Sequence, residues 1–135
     1  MKRDPIYNAA LGVPAGWLTL DDSKRVELVL ASHAHLGTGH PRTSNVRVHS
    51  AMHVVVENQL AAGDPTEARP TLARLVDEGL DRHQAVHAMG QVVAELTFSV
   101  LKREAGASEN VAARLAAGYL AMTAKKYLAG LDEEG

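Results

Sequence analysis

Apolar residues recur every three to four positions along most of this chain, in five segments separated by short breaks. In the second segment, Val46, Met52, Val56 and Leu60 keep a period close to 3.6 residues. The strict alternation that is typical of half-buried strands does not occur in the sequence. The pattern favours an all-α fold, with helices predicted over about 22–36, 44–62, 65–78, 82–104 and 108–129.

Capping residues and glycines set the predicted helix ends. Asp64-Pro65-Thr66-Glu67 has the sequence of a capping box with proline in the first turn, which predicts the start of the third helix. Asp81 and Gln84 form a second box before the fourth helix. Gly63 and Gly79 follow the second and third helices, where glycine commonly ends a helix. The short connections between helices predict antiparallel packing of neighbours.

Length and composition agree with one small bundle. The chain has 135 residues, 46% of them hydrophobic, and its core residues are mainly Leu, Val and Ala. Pro5, Gly12, Pro14 and Gly16 interrupt the first 19 residues. We therefore predict a single-domain helical bundle of about five helices over 20–135, preceded by an irregular N-terminal arm over 1–19. Five apolar residues of the arm are candidates for contact with the bundle: Ile6, Tyr7, Leu11, Val13 and Trp17.

Charge and residue usage exclude several classes of function. The formal net charge is −2 and no cluster of basic residues exceeds a pair, so we expect no nucleic-acid partner. The chain has no cysteine, which excludes thiolate catalysis, iron–sulfur clusters and cysteine zinc sites. There is no apolar run long enough for a transmembrane helix, and the first residues lack the pattern of a signal peptide. We therefore expect no membrane association and a cytoplasmic location.

Histidines are the candidate functional residues. His49 and His53 are four residues apart on the second predicted helix, and His83 and His87 are four apart on the fourth. This spacing corresponds to about 40° of rotation and a rise of about 6 Å, so both rings of a pair can face one point. Helices use this geometry to offer two imidazoles to one metal ion. Because two such pairs lie on separate amphipathic helices, we predict a shared transition-metal site.

Other polar residues extend the candidate site. Glu57 and Glu95 follow the two pairs along similar helix faces, and His33 lies on the inner face of the first helix. Glu57 is about 12 Å along the axis from His49, so the two cannot bind one ion in a straight helix. Either two ions lie in a row, or the carboxylates fix the imidazole tautomers from behind. The candidate outer donors are Asn45, Asn58, Gln59, Arg82 and Gln91.

Two segments of the chain, 48–60 and 79–90, carry a family resemblance. Together they follow the pattern His-x3-His-x3-Glu-x-Gln, then Pro, then Asp-x-His-x3-His with a later Glu. In this they resemble the bacterial domain-of-unknown-function family 1841 and its relatives, over about residues 45–95. The family has no established reaction. The ligand set implied by the resemblance is His49, His53, Glu57, His83, His87 and Glu95.

Three functional hypotheses remain open at this point. The first is an enzyme, a hydrolase or an oxidoreductase, that uses zinc, iron, nickel, copper or manganese at a site with an open position. The second is a non-catalytic protein in which a closed metal shell serves a structural, sensing or carrier role. The third is a metal-free interaction module with a titrating histidine cluster. A homodimer is also open, with Tyr119, Met122 and Tyr127 as candidate contact residues.

Overall fold

The computed structural model describes residues 7–36, 46–102 and 109–134, with side chains over 7–31, 49–102 and 109–130. Most of the described residues are helical and none of them belongs to a strand, which confirms the all-α prediction. A short 3₁₀ helix at Trp17–Thr19 precedes six α-helices. They are α1 (Asp22–Leu36), α2 (Val46–Ala62), α3 (Ala68–Asp77), α4 (Arg82–Leu101), α5 (Val111–Ala121) and α6 (Ala124–Glu134).

The capping box at the start of α4 forms as predicted. The Asp81 carboxylate accepts a hydrogen bond from the Gln84 amide at 2.8 Å, and the Gln84 side chain accepts one from the Asp81 amide at 3.1 Å. These two bonds satisfy backbone donors that the first turn of a helix leaves free. They fix the start of the helix that carries His83 and His87.

The prediction for the start of α3 is wrong. The helix begins at Ala68, and its N-cap residue Glu67 makes no side-chain capping bond. The Thr66 hydroxyl donates to the Glu67 carboxylate instead of capping a backbone amide. The Ala68 amide donates to the Pro65 carbonyl, so a backbone turn takes the place of the expected box.

The predicted fifth helix over 108–129 is two helices. The chain is extended at Met122, between α5 and α6, although neither Pro nor Gly interrupts the sequence there. The Thr123 hydroxyl accepts a hydrogen bond from the Lys126 amide at 3.1 Å, which caps the start of α6. The bundle therefore has six helices among the described residues rather than five.

A side-chain pair on α3 holds the break between α5 and α6. The Arg74 guanidinium donates to the carbonyl oxygens of Tyr119 and Met122, at 3.0 and 2.8 Å. The Glu78 carboxylate accepts from the Ala124 amide at 2.9 Å and from Arg74 at 2.6 Å. Because these bonds satisfy the ends of two helices, they stabilise a break that local sequence does not require.

Helix α2 lies at the centre of the bundle. It packs against α1 on one side and α4 on the other, and α4 also contacts α3, α5 and α6. One apolar cluster joins α2 to the helices from α3 to α6, and a second joins it to α1 and the arm. The approach of α5 to α4 is close, since a Cβ at Gly118 would lie 2.5 Å from Val92. A helix that is covered on both sides can carry buried polar residues between its two apolar faces.

The N-terminal arm packs onto this core through two aromatic rings. Tyr7 and Trp17 are each 2% exposed and pack with α1 and α2, whereas Leu11 is 84% exposed and takes no part. A tight turn joins Asn8 to Gly12, whose φ of 109° favours glycine. The described part of the arm contains this turn and the 3₁₀ helix, and the side chains of Tyr7, Ala9 and Trp17 belong to the core.

Two of the three candidate dimer residues are buried. Tyr119 and Tyr127, suggested above as dimer contacts, are 0% and 3% exposed, so their side chains already pack within the chain.

Over the described ranges, none of the helices combines the length and apolar character that crossing a bilayer requires.

Candidate metal centre

Three imidazoles, which we call the imidazole triad, meet between α2 and α4. The Nε2 atoms of His49 and His53 are 3.2 Å apart, and that of His87 lies 3.2 Å from His49 and 2.8 Å from His53. His53 is 2% exposed, whereas the other two are partly buried. The four-residue spacing on α2 thus places two rings at one point, and α4 supplies the third.

The spacing of these nitrogens matches what one ion requires. A metal bound by imidazole at about 2.0–2.1 Å, with bond angles between octahedral and tetrahedral values, separates its nitrogen ligands by about 2.9–3.4 Å. The separations in the triad run from 2.8 to 3.2 Å. Three nitrogens in a compact triangle occupy one face of a coordination sphere and leave the opposite side for another ligand.

His83 lies beside the triad. Its ring centroid is 4.4 Å from that of His87 and 5.3 Å from that of His53. Among the described side chains, the group whose ligand atoms lie within 4.8 Å of one another contains His49, His53 and His87. The second predicted pair is therefore brought to the cluster, with one ring in the triad and the other packed against it.

Glu57 lies one turn beyond His53 on α2 and points to a different partner. Its side chain is 0% exposed and forms a two-pronged ion pair with Arg82, at 2.7 and 2.8 Å. The pKa of Arg82 is raised, chiefly because its guanidinium donates to Glu57. Arg82 also donates to the Ala9 carbonyl at 2.8 Å. The carboxylate and the arm are thus held by the same guanidinium.

Tyr7, from the arm, connects this ion pair to the triad. Its hydroxyl lies 2.6 Å from Glu57 Oε2 and 3.1 Å from His53 Nδ1. Burial raises the pKa of Tyr7 well above its ordinary value of 10, and the charge of Glu57 raises it further. The hydroxyl consequently stays protonated at neutral pH. A continuous path of polar contacts runs from Arg82 through Glu57 and Tyr7 to the back of His53.

A second tyrosine approaches the triad from the other end of the chain. The Tyr127 hydroxyl, on α6, is 3.4 Å from Nδ1 of His87. Two of the three imidazoles therefore meet a buried tyrosine hydroxyl on the nitrogen that faces away from the centre. Metal-binding histidines commonly have an oxygen partner at this position.

The remaining predicted residues are distributed as follows. Glu95 is exposed on α4, two turns beyond His87, and is not part of the group of converging ligand atoms. His33 belongs to α1, but its side chain lies outside the described residues, as does Asn45. Of the proposed outer donors, Asn58 accepts from Trp17 and Gln59 accepts from Tyr119. Arg82 contacts a candidate ligand residue through its ion pair with Glu57.

Sequence reasoning missed the role of Tyr7. The sequence indicates this residue only as an apolar anchor of the arm, because an isolated tyrosine in an irregular segment carries no periodic signal. Its contact with Glu57 spans 50 residues of sequence, and its contact with His53 spans 46. Only the buried Glu57, which needs a charged partner and donors, indicates that such residues must exist.

Comparison with known proteins identifies the family. A family model described as "Domain of unknown function (DUF1841)" matches residues 33–116. This span exceeds half of the 135 residues, and the chain belongs to this family. No curated protein and no solved structure gives a significant match. The matched span contains the whole imidazole triad, Glu57 and Arg82, whereas Tyr7 and Tyr127 lie outside it.

Proposed function

We propose that this member of the DUF1841 family binds one transition-metal ion through Nε2 of His49, His53 and His87. The observation that carries the proposal is the convergence of these nitrogens at 2.8–3.2 Å from one another. Imidazole rings so close, one of them almost fully buried, need a shared cation or proton between them. A metal ion meets this need for all three at once.

The donor set narrows the choice of metal. The three nitrogens of the triad belong to imidazole rings, and imidazole is a good ligand for zinc, copper, iron and nickel. Manganese, which favours carboxylate and water oxygens, fits less well because Glu57 is engaged by Arg82 and Tyr7. We therefore rank the first four metals above manganese, with zinc as the ion to test first.

A metal ion bound by three imidazoles would keep a coordination position open for water or substrate, which is the arrangement that catalytic metal sites use. A facial set of three nitrogens resembles the arrangement in which zinc keeps one position for water and lowers the pKa of that water. On iron or copper the same position would take an oxidant or a reducible substrate. Hydrolase and oxidoreductase activities are both consistent with this proposal, and the metal decides between them.

The ring of His83 favours a second candidate function. It lies 4.4 Å from the ring of His87, so a small rotation would bring a fourth imidazole toward the same ion. Four nitrogens around zinc form a closed shell, which is typical of structural sites. In that case the protein would use the metal to join α2 to α4, or to sense its availability.

Metal analysis of purified protein tests the proposal. The protein is purified without a histidine tag, loaded with zinc, dialysed and analysed by mass spectrometry for metal content. We expect about one ion per chain, and loss of the ion in each of His49→Ala, His53→Ala and His87→Ala. Glu95→Ala, which changes an exposed residue of α4, is the matched control and should retain the ion.

Two results refine or contradict this interpretation. His83→Ala that retains the ion favours the three-nitrogen, open site, whereas loss of the ion favours the closed site. Wild-type protein that retains no metal and shows the same melting temperature with and without chelator contradicts metal binding. That outcome supports a metal-free cluster that titrates with pH.

A further inference from the structure

The position of the Tyr7 hydroxyl determines where its single proton goes. A carboxylate only accepts hydrogen bonds, and the distance to Glu57 Oε2 is 2.6 Å, so Tyr7 donates to Glu57. The hydroxyl oxygen is then left as an acceptor toward His53 Nδ1, which lies 3.1 Å away. For this contact to be a hydrogen bond, the imidazole must carry its proton on Nδ1.

The neighbours of Tyr7 hold this direction of donation in place. The Arg82 guanidinium binds both oxygens of Glu57, so the carboxylate cannot rotate away from the hydroxyl. Glu57 and Tyr7 are 0% and 2% exposed, so bulk water does not compete for these bonds. A reversed arrangement, with Tyr7 donating to His53, would leave one oxygen of a buried carboxylate without this donor.

We infer that Tyr7 is a positioning residue that keeps His53 in the tautomer that metal binding needs, with the proton on Nδ1 and the lone pair of Nε2 facing His49 and His87. The zinc-affinity part of this inference rests on the proposed function, but the tautomer does not. Because Tyr7 belongs to the N-terminal arm, docking of the arm and binding of the metal favour each other. This coupling is reciprocal. The free energy by which bound metal favours the docked arm equals the free energy by which the docked arm favours metal binding.

The arm has further contacts that carry this coupling. Arg82 donates to the Ala9 carbonyl at 2.8 Å, and the Trp17 indole donates to Asn58 at 2.8 Å. Asn58 follows Glu57 on α2, so the arm is attached to the turn of helix that comes directly after His53. A change at His53 is therefore transmitted to the arm through short, buried contacts rather than through loops.

The tautomer can be read directly, without metal. Long-range ¹⁵N correlation spectra of the metal-free protein, recorded at a pH where the imidazoles are neutral, report which ring nitrogen of His53 carries the proton. We expect Nδ1–H in the wild type and a mixture, or Nε2–H, in Tyr7→Phe. Tyr119→Phe is the matched control, since it removes a buried hydroxyl that donates to Gln59, and it should leave His53 unchanged. A wild-type spectrum with Nε2–H, or an unchanged Tyr7→Phe spectrum, overturns the inference.

Zinc titration tests the coupling. We expect Tyr7→Phe to bind Zn²⁺ about 10- to 100-fold more weakly than the wild type, and Tyr119→Phe to stay within about twofold. Circular dichroism of each variant verifies the fold. Equal affinities in wild type and Tyr7→Phe overturn the coupling and leave the proposed function standing. A wild type that binds no Zn²⁺ overturns the proposed function, while the tautomer result still decides the role of Tyr7.

Hydrogen exchange of the wild type gives an independent measure that needs no substitution. The amides of Leu11 and Gly12 donate to the Asn8 carbonyl within the arm, and those of Thr19 and Leu20 donate within its 3₁₀ turn. Zinc should slow the exchange of these amides, because it favours the docked arm. If the amides of the arm exchange at the same rate with and without bound zinc, the inference is contradicted.

Discussion

Two arginine–glutamate pairs with nearly the same bond lengths have different surroundings in this protein. Arg82 and Glu57 lie 2.7 Å apart with a glutamate side chain that is 0% exposed, and Arg74 and Glu78 lie 2.6 Å apart with both side chains about one-third exposed. Desolvation makes the first pair costly to break, because Glu57 without Arg82 would be a buried charge with no cation to compensate it. Water compensates for much of the loss in the second pair.

The two pairs also hold different kinds of structure. The Arg82–Glu57 pair joins α4 to α2 and extends through Tyr7 to the back of the imidazole triad. The Arg74–Glu78 pair joins the last turn of α3 to its C-cap residue and holds the backbone break between α5 and α6. One pair therefore belongs to the contacts behind the candidate site, whereas the other supports the path of the backbone.

The largest expected effect follows loss of the buried arginine. Arg82→Met should destabilise the protein by about 3–5 kcal/mol, because the buried Glu57 then keeps, among the described residues, only the Tyr7 hydroxyl as a hydrogen-bond partner. It should also weaken zinc binding, since Tyr7 and the arm lose their support. Urea unfolding gives the free energy, and titration with Zn²⁺ gives the affinity. A cost below about 1 kcal/mol would show that the two pairs are energetically alike.

A smaller effect is expected from the matched change on α3. Arg74→Met should cost about 1–2 kcal/mol, chiefly through the hydrogen bonds to the Tyr119 and Met122 carbonyls. Zinc affinity should be unchanged, because Arg74 bonds to Glu78 and to the Tyr119 and Met122 carbonyls rather than to a residue of the triad. The same urea and zinc measurements apply to both arginine variants. If Arg74→Met weakened zinc binding as much as Arg82→Met, the assignment of separate roles would fail.

The smallest effect is a change in the acid dependence of stability. The pKa of Glu78 lies below its ordinary value of 4.5, because the Ala124 amide and then Arg74 donate to the charged carboxylate. A lowered pKa in the folded state stabilises the protein above the unfolded pKa, and the contribution disappears as pH falls through the folded value. Thermal melts across pH should therefore show a gap between wild type and Glu78→Gln that is constant near neutrality and closes in acid. A gap that widens in acid would contradict the sign.

Most of the fold could be predicted from local sequence because the relevant signals are local. The 3.6-residue periodicity, the Asp81–Gln84 box and Gly79 as a helix end all act within one or two turns. The break at Met122 could not be predicted, since it depends on Arg74 and Glu78 from a distant helix. Contacts from another helix satisfy the backbone amides and carbonyls at this break. Helix propensity does not include such contacts, so it predicts one continuous helix where two exist.

One part of the candidate site could be predicted from the sequence, and another part could not. Four-residue spacing was enough to place His49 and His53 at one point, because helix geometry fixes their relative direction. The same argument did not show that His87 rather than His83 completes the triad, since that depends on how α4 packs on α2. Nor could spacing separate Glu57 from Glu95: one is buried beside Arg82 and the other is exposed.

X-ray absorption spectroscopy of the zinc-loaded protein tests metal binding by the imidazole triad most directly. We expect a first shell at about 2.0–2.1 Å with the multiple-scattering pattern of three imidazoles, and its loss in His53→Ala. A first shell composed of oxygen alone, or one that is the same in wild type and His53→Ala, would contradict it.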